Sequence, residues 1–278
     1  MIDIHTHLYF PDFDLDRDEA VERARKAGVD FMVSVGTSPE DNRKAIGIAE
    51  TYAGVYASVG LHPHFFNEPH IDAGIIDKEM ASLRALAGHE KVVAIGECGL
   101  DYFSHDENVP VTASQREYQR AGFLAQIALA EELKLPLILH TRPARGTMDA
   151  YEEMARLLEN VRTKVVLHCY QGDAEMTKKF LKLPHVFFSF TATITYPLKR
   201  MIEGTKDDPQ ESIRLIPIGR MFVETDCPFL PPQEHRGERN EPAFIAATAE
   251  AIARTQGISL EALDPAFMKN TLLVFGKQ

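Results

Sequence analysis

Residues 2–7 read Ile-Asp-Ile-His-Thr-His, and residues 92–97 read Val-Val-Ala-Ile-Gly-Glu. Each is a short, β-rich apolar run that ends on a side chain able to do chemistry. The first run gives a strand at 2–6 and the second a strand at 92–97. Similar runs at 29–35, 55–59, 137–140, 165–168, 186–189 and 221–224 bring the expected strands to eight. Between them, apolar residues recur at helical spacing. Ala20, Val21, Ala24 and Ala27 form one stripe within 15–27, and Gly28 follows as a cap. Ser38-Pro39 reads as a helix start with proline in the first turn. Thr112 with Gln115 reads as a capping box opening a helix to about 133. Pro242 opens another to about 255, with Gly257 beyond its end, and 259–275 supplies one or two packing helices. Strands interleaved with helices imply βαβ units and a parallel sheet. Eight such units in 278 residues fit an α/β fold of the (β/α)8, TIM-barrel type, for which about 250 residues is typical. A doubly wound open sheet is the competing architecture. The sequence shows no internal repeat, low-complexity tract or flexible linker, so residues 1–278 are expected to form one domain. Polar loops are expected at 103–110, 204–210 and 231–240.

Hydrophobic residues make up 45% of the chain and charged residues 26%, ordinary globular proportions. No run approaches the roughly 18 apolar residues of a membrane span. The N-terminus, MIDIHTHLYF, lacks the basic and apolar regions of a signal peptide. Three cysteines without a short-spaced pair argue against a disulfide framework and for a reducing compartment, so a cytoplasmic location is expected. The formal net charge of −11 excludes a protein that coats nucleic acid with a broad basic face. Any contact with nucleic acid has to be local.

The chemistry sits at strand ends. Side chains alternate across a strand, so His5 and His7 project the same way and can share one ion. Glu97 ends the fourth run, His140 the fifth and His168 the sixth, and Asp226 follows the eighth. In such barrels catalytic groups come from the C-terminal ends of several strands. A lone H-x-H is equally at home in packing; six such residues at one rim read as a metal site.

DIHTHL at 3–8, GLHPH at 60–64, GECGLDY at 96–102, LHTR at 139–142, HCYQG at 168–172, ETDCPFL at 224–230 and HRGERNEP at 235–242 together resemble the motifs of TatD-type deoxyribonucleases, in the amidohydrolase superfamily. The likeness runs in order over nearly the whole chain. Cys227 departs from a common Ser, and HCYQG from a frequent HCF-type sequence; neither touches a ligand position. The resemblance implies two divalent ions. His5, His7 and Asp226 would hold one and His140 and His168 the other, with Glu97 bridging where superfamily relatives often use a modified lysine. Two ions about 3.5–4 Å apart suit phosphodiester hydrolysis. Asp226 is then the candidate general base, and Glu97, locked between cations, is too acidic for that task. Mixed imidazole and carboxylate donors admit Zn, Mn, Mg, Fe or Co; the resemblance favours Mg or Mn in action, with Zn able to occupy the site after purification.

His62 and His64 end the third run and are candidates for contacting a substrate phosphate or supporting a further ion, against a structural histidine pair beside Pro63. Arg142, Arg236 and Arg239 are candidates for binding phosphate oxygens, against ordinary surface ion pairs. Phe65, Phe66, Tyr102 and Tyr170 could stack on bases, although core packing is the commoner fate. Asp3 is open between orienting a ligand histidine and a buried structural hydrogen bond, and Asp101 reads as a turn residue. Cys98, Cys169 and Cys227 each follow a ligand candidate and so point away from it. His70, His89, His105 and His185 fall outside the strand ends and read as surface or loop residues.

The expected function is a metal-dependent deoxyribonuclease trimming single-stranded DNA ends as an exonuclease, a reading compatible with a monomer. The alternatives are an ester or amide hydrolase with the same site, such as an aminoacyl-tRNA deacylase, and a metal-binding scaffold without turnover. A structural site is usually closed by four ligands, which disfavours the scaffold.

Overall fold

The computed structural model describes residues 1–68, 71–106, 108–197 and 209–276. Eight strands pair in parallel, each with the next in sequence: β1 (Ile2–Thr6), β2 (Phe31–Val35), β3 (Val55–Val59), β4 (Val92–Asp101), β5 (Leu137–Arg142), β6 (Val165–Leu167), β7 (Val186–Phe190) and β8 (Met221–Val223). Helices intervene: α1 (Arg17–Lys26), α2 (Pro39–Thr51), α3 (Ala73–Ala87), α4 (Ala113–Leu133), α5 (Asp149–Leu157), α6 (Ala174–Leu181) and α7 (Pro209–Leu215). After β8 come α8 (Ile245–Gln256) and α9 (Leu260–Phe275). This is the (β/α)8 barrel, and the open sheet is set aside.

The strands are buried on both faces, which is why they read as near-continuous apolar runs rather than alternating ones. Local signals act as their chemistry requires. The Thr112 hydroxyl accepts from Gln115 N while Gln115 reaches back to Thr112 N, and Ser38 accepts from Asp41 N at the start of α2. Gly257 ends α8 in the left-handed region. Pro242 opens a short 3-10 turn, with α8 proper starting at Ile245, and the tail is one helix despite Pro265 within it. The expected loop at 204–210 lies outside the described residues except for Pro209 and Gln210, which open α7, and so does His70.

Two departures shape the site. β4 runs on past Glu97 to Asp101, and β5 past His140 to Arg142, the two staying in register as Gly99 opposite His140 and Asp101 opposite Arg142. Glycine makes this approach feasible. A Cβ on Gly99 would lie 2.1 Å from the His140 carbonyl oxygen, and one on Gly96 would lie 2.4 Å from that of Ile138. β8 is shorter than expected, so Glu224, Thr225 and Asp226 turn into the rim, with Asp226 at φ 58°.

The sheet closes between β1 and β8 through a bridge of Thr6 with Cys227, where His7 N donates to Cys227 O at 2.8 Å and Asp226 N to His5 O at 2.9 Å. Asp3 pins the same seam. Its carboxylate accepts from Thr225 N at 3.0 Å and Thr225 Oγ1 at 2.6 Å. Burial pushes Asp3 up to about 7, against hydrogen bonds from Thr225 that pull the other way. Its partners are Thr225 and the His5 backbone N–H rather than a ligand ring, which favours the structural reading.

Candidate metal centre

β1 carries His5 and His7 into the barrel mouth two residues apart, and their Nε2 atoms meet at 3.3 Å. The Nδ1 of His7 donates to the Val35 carbonyl at 3.0 Å, which leaves its Nε2 lone pair turned toward His5 and Asp226. Asp226 Oδ1 lies 3.3 Å from His7 Nε2 and 3.8 Å from His5 Nε2. Donor atoms that each sit about 2.1 Å from one tetrahedral ion are separated by about 3.4 Å. The spacing therefore fits an ion, and two facing imidazole nitrogens with at most one proton between them make a poor arrangement without one. All three residues are buried or nearly so.

Glu97 reaches both sides. Its Oε2 is 3.4 Å from His5 Nε2, whereas Oε1 is 2.9 Å from His140 Nδ1, 3.6 Å from His62 Nε2 and 3.8 Å from His168 Nε2. One carboxylate oxygen serves each cluster, as a bridging ligand would. Burial alone would raise Glu97, but the imidazoles of His62 and His5 and the hydrogen bonds from His140 and His5 outweigh it and hold the carboxyl well below its ordinary range. His5 stacks on His168 at 3.6 Å between centroids, and burial and that neighbour lower its basicity.

Behind these groups lie two more carboxylates, Asp101, expected in a turn, and Glu224, expected only as the end of the eighth strand. Asp101 Oδ2 is 3.0 Å from His140 Nε2 and 3.0 Å from His64 Nε2. Its position in a strand rather than a turn follows from the extension of β4, the feature sequence periodicity missed. Glu224, fully buried, lies 2.8 Å from His168 Nδ1. The signal for it was the spacing, two residues before Asp226. Burial would lower both partner histidines, yet Asp101 and Glu97 push His140 up to about 10, and Glu224 pushes His168 up to about 9.

The substrate candidates divide. His62 lies against Glu97 and His140 within the candidate cation cluster, deeper than a substrate contact alone requires, and burial lowers it to about 3. His64 is 61% exposed at the rim and paired with Asp101. Arg142 lies over the Phe103 ring at 3.7 Å and Arg236 over the Tyr196 ring at 4.8 Å. Arg239 does not join them. It is held by both oxygens of Asp16 and by the Asp12 carbonyl, over Phe13, so its donors are already spent on structure. Phe66, Tyr102 and Tyr170 are core residues, at most 3% exposed. Burial pushes the thiols of Cys98, Cys169 and Cys227 up, which unfits them as thiolate ligands.

Six donor residues drawn from five strands of a parallel barrel identify a superfamily at most; the sequence narrows it. Residues 2–276 match the family described as TatD related DNase. This chain belongs to that family. The TatD-type relatives include the uncharacterized metal-dependent hydrolase YabD of Bacillus subtilis, 34% identical over 99% of this chain and 98% of the relative. The 3'-5' ssDNA/RNA exonuclease TatD of Cronobacter sakazakii is 34% identical over 98% of this chain and 94% of its own length. Among solved structures, the TatD homolog YJJV of Escherichia coli superposes with a TM-score of 0.83 at 28% identity, covering 100% of this chain and 98% of that one. Among the described residues no helix of this TatD-family chain is long and apolar enough to cross a membrane.

Proposed function

We propose that the protein is a divalent-metal-dependent exonuclease acting on single-stranded DNA ends, with residues 1–278 working as one hydrolase domain. The observation that carries it is the split of Glu97, one oxygen toward His5 and the other toward His140, His62 and His168. His5, His7 and Asp226 would hold one ion and His140 and His168 a second, with Glu97 between them. Divalent ions, when bound, supply Lewis acidity toward a phosphoryl group and lower the pKa of water; Mg or Mn suits this work. Asp226, its carboxyl kept below the ordinary range by His7 and His168 against the opposing effect of burial, accepts the proton of the attacking water. Asp101 and Glu224 hold the rings of His140 and His168 in one orientation. Arg142, backed by Phe103, and Arg236, backed by Tyr196, supply cations at the mouth of an otherwise acidic chain.

The family, and the exonuclease name of the Cronobacter relative, favour nucleic acid over the ester or amide alternative. The test is product analysis on an end-labelled single strand with and without chelator, followed by Mg or Mn, beside a closed circular strand, RNA and aminoacyl-tRNA. Stepwise shortening of the linear strand, abolished by chelator and restored by metal, is the expected result. Deacylation without cleavage, or equal cutting of the circle, would overturn it.

A further inference from the structure

Beside His7 stands an aromatic corner that the proposed chemistry does not use. Phe229 follows Asp226 by three residues, and its ring centroid is 6.1 Å from that of His7. Phe10 lies 5.1 Å from the His7 ring and meets Phe229 edge to face at 5.6 Å and 88°. Phe229 is 48% exposed, so its ring is open to a ligand from the solvent side.

The corner is held rigidly. The buried side-chain amide of Asn240 donates to the carbonyls of Thr225 at 2.9 Å and Phe229 at 2.6 Å, and Phe229 N donates to Asp226 O at 2.9 Å. Phe10 N donates to His7 O at 3.0 Å. The rings are thus fixed to the same turns that present Asp226 and His7. A rigid aromatic face is a sequence-tolerant platform for a base, since every base has a π-face.

We propose that Phe10 and Phe229 form a stacking subsite for the base of the terminal nucleotide whose phosphate faces the Glu97 cluster. This rests on the exonuclease reading and gives it a substrate class: an end whose last base is unpaired and unstacked. A base freed from its partner can swing onto Phe229 without the duplex behind it having to enter the mouth, so the corner favours frayed or single-stranded ends.

The test compares kcat/KM on two single-stranded oligonucleotides, one of which lacks only the base of the nucleotide at the end being cut. Wild-type protein should prefer the intact end by about ten-fold, which is what one base–aromatic stack supplies. Phe229→Leu, conservative at a half-exposed position, should cut that preference to about two-fold or less, and Phe229→Tyr should keep it. An end-placed 2-aminopurine next to phosphorothioate linkages reads binding apart from turnover: its fluorescence should fall with wild type and Phe229→Tyr but not with Phe229→Leu. Equal rates on the two ends in wild type, or an undiminished preference in Phe229→Leu, would overturn the subsite while leaving the nuclease reading intact. Failure to cut any oligonucleotide would overturn that reading first, and the subsite with it.

Discussion

Asp101 Oδ2 lies 3.0 Å from the Nε2 of His140, on the opposite edge of the ring from Glu97. The contact fixes which ring nitrogen carries the proton and leaves Nδ1 as the donor toward a cation. Carboxylates in this position typically contribute 10- to 100-fold in metal affinity. Asp101→Asn should therefore weaken metal binding by about that factor, measured by calorimetry on the chelator-stripped protein. Unchanged affinity would make Asp101 a loop-fixing residue only, bound to Phe103 N and Gln119.

In the metal-free protein His140 and His168 are raised to about 10 and about 9, so both carry a proton at neutral pH. An ion must displace those protons, because imidazole binds a cation only when neutral at the donor atom. Metal loading at pH 7 should release protons, and affinity should climb as pH rises toward 9. Titrations in two buffers of different ionisation enthalpy count the protons. Identical apparent enthalpies in both buffers would contradict the prediction.

Glu97 and Asp226 should fail differently. Glu97→Ala removes the group shared by both clusters and should lower metal content together with turnover. Asp226→Asn keeps an oxygen donor near His7 but no longer accepts a proton, so metal should be largely retained while kcat falls by about 100-fold or more. A metal-replete Asp226→Asn protein with near wild-type kcat would move the base elsewhere.

Asp3 gives a pH dependence of stability rather than of rate. Its folded pKa of about 7 stands above the ordinary 3.8, so its contribution is fully present below 3.8 and is lost as pH rises through about 7. Across that window the metal-free wild type should lose on the order of 1 kcal/mol per pH unit relative to Asp3→Asn. Urea unfolding of both proteins at pH 5 and pH 8 checks it; a difference that stays constant, or that moves in favour of the wild type as pH rises, would contradict it.

The arginines separate by partner. Arg142→Ala should raise KM for a single strand with little change in stability. Arg239→Ala should leave KM unchanged and destabilise by about 1 kcal/mol through loss of the Asp16 and Glu241 ion pairs. With few cations at the mouth of a chain carrying −11, the log–log salt slope of kcat/KM should be about −1 to −2, at about −0.7 per phosphate contacted. A slope steeper than about −4 would indicate a basic groove.

The barrel and the six rim residues could be read from sequence because each depends on a local pattern: an apolar run, a period and a side chain at its end. Asp101 and Glu224 could not be ranked so easily. Their meaning lies in which ring nitrogen they face, and that depends on β4 outrunning its apolar stretch and β8 stopping short of its own. Two of the aromatic candidates failed for a similar reason. Tyr102 and Tyr170 sit beside motif residues, but alternation turns them into the core, while Phe229 reaches the rim only because the chain reverses at Asp226. Arg239 looked like a phosphate ligand until Asp16, 223 residues away in sequence, claimed it.

The seam between β1 and β8 joins Thr225 to Asp3, 222 positions apart in the chain. His5 and Asp226 stand on either side of that join, so two donors far apart in the chain come together only where β1 and the turn after β8 meet. A chain that stops short of β8 cannot bring them together. If these residues are the working site, the cell never meets a fragment with cutting power: activity begins only when the last strand docks, and the circle of strands acts as its own safety catch.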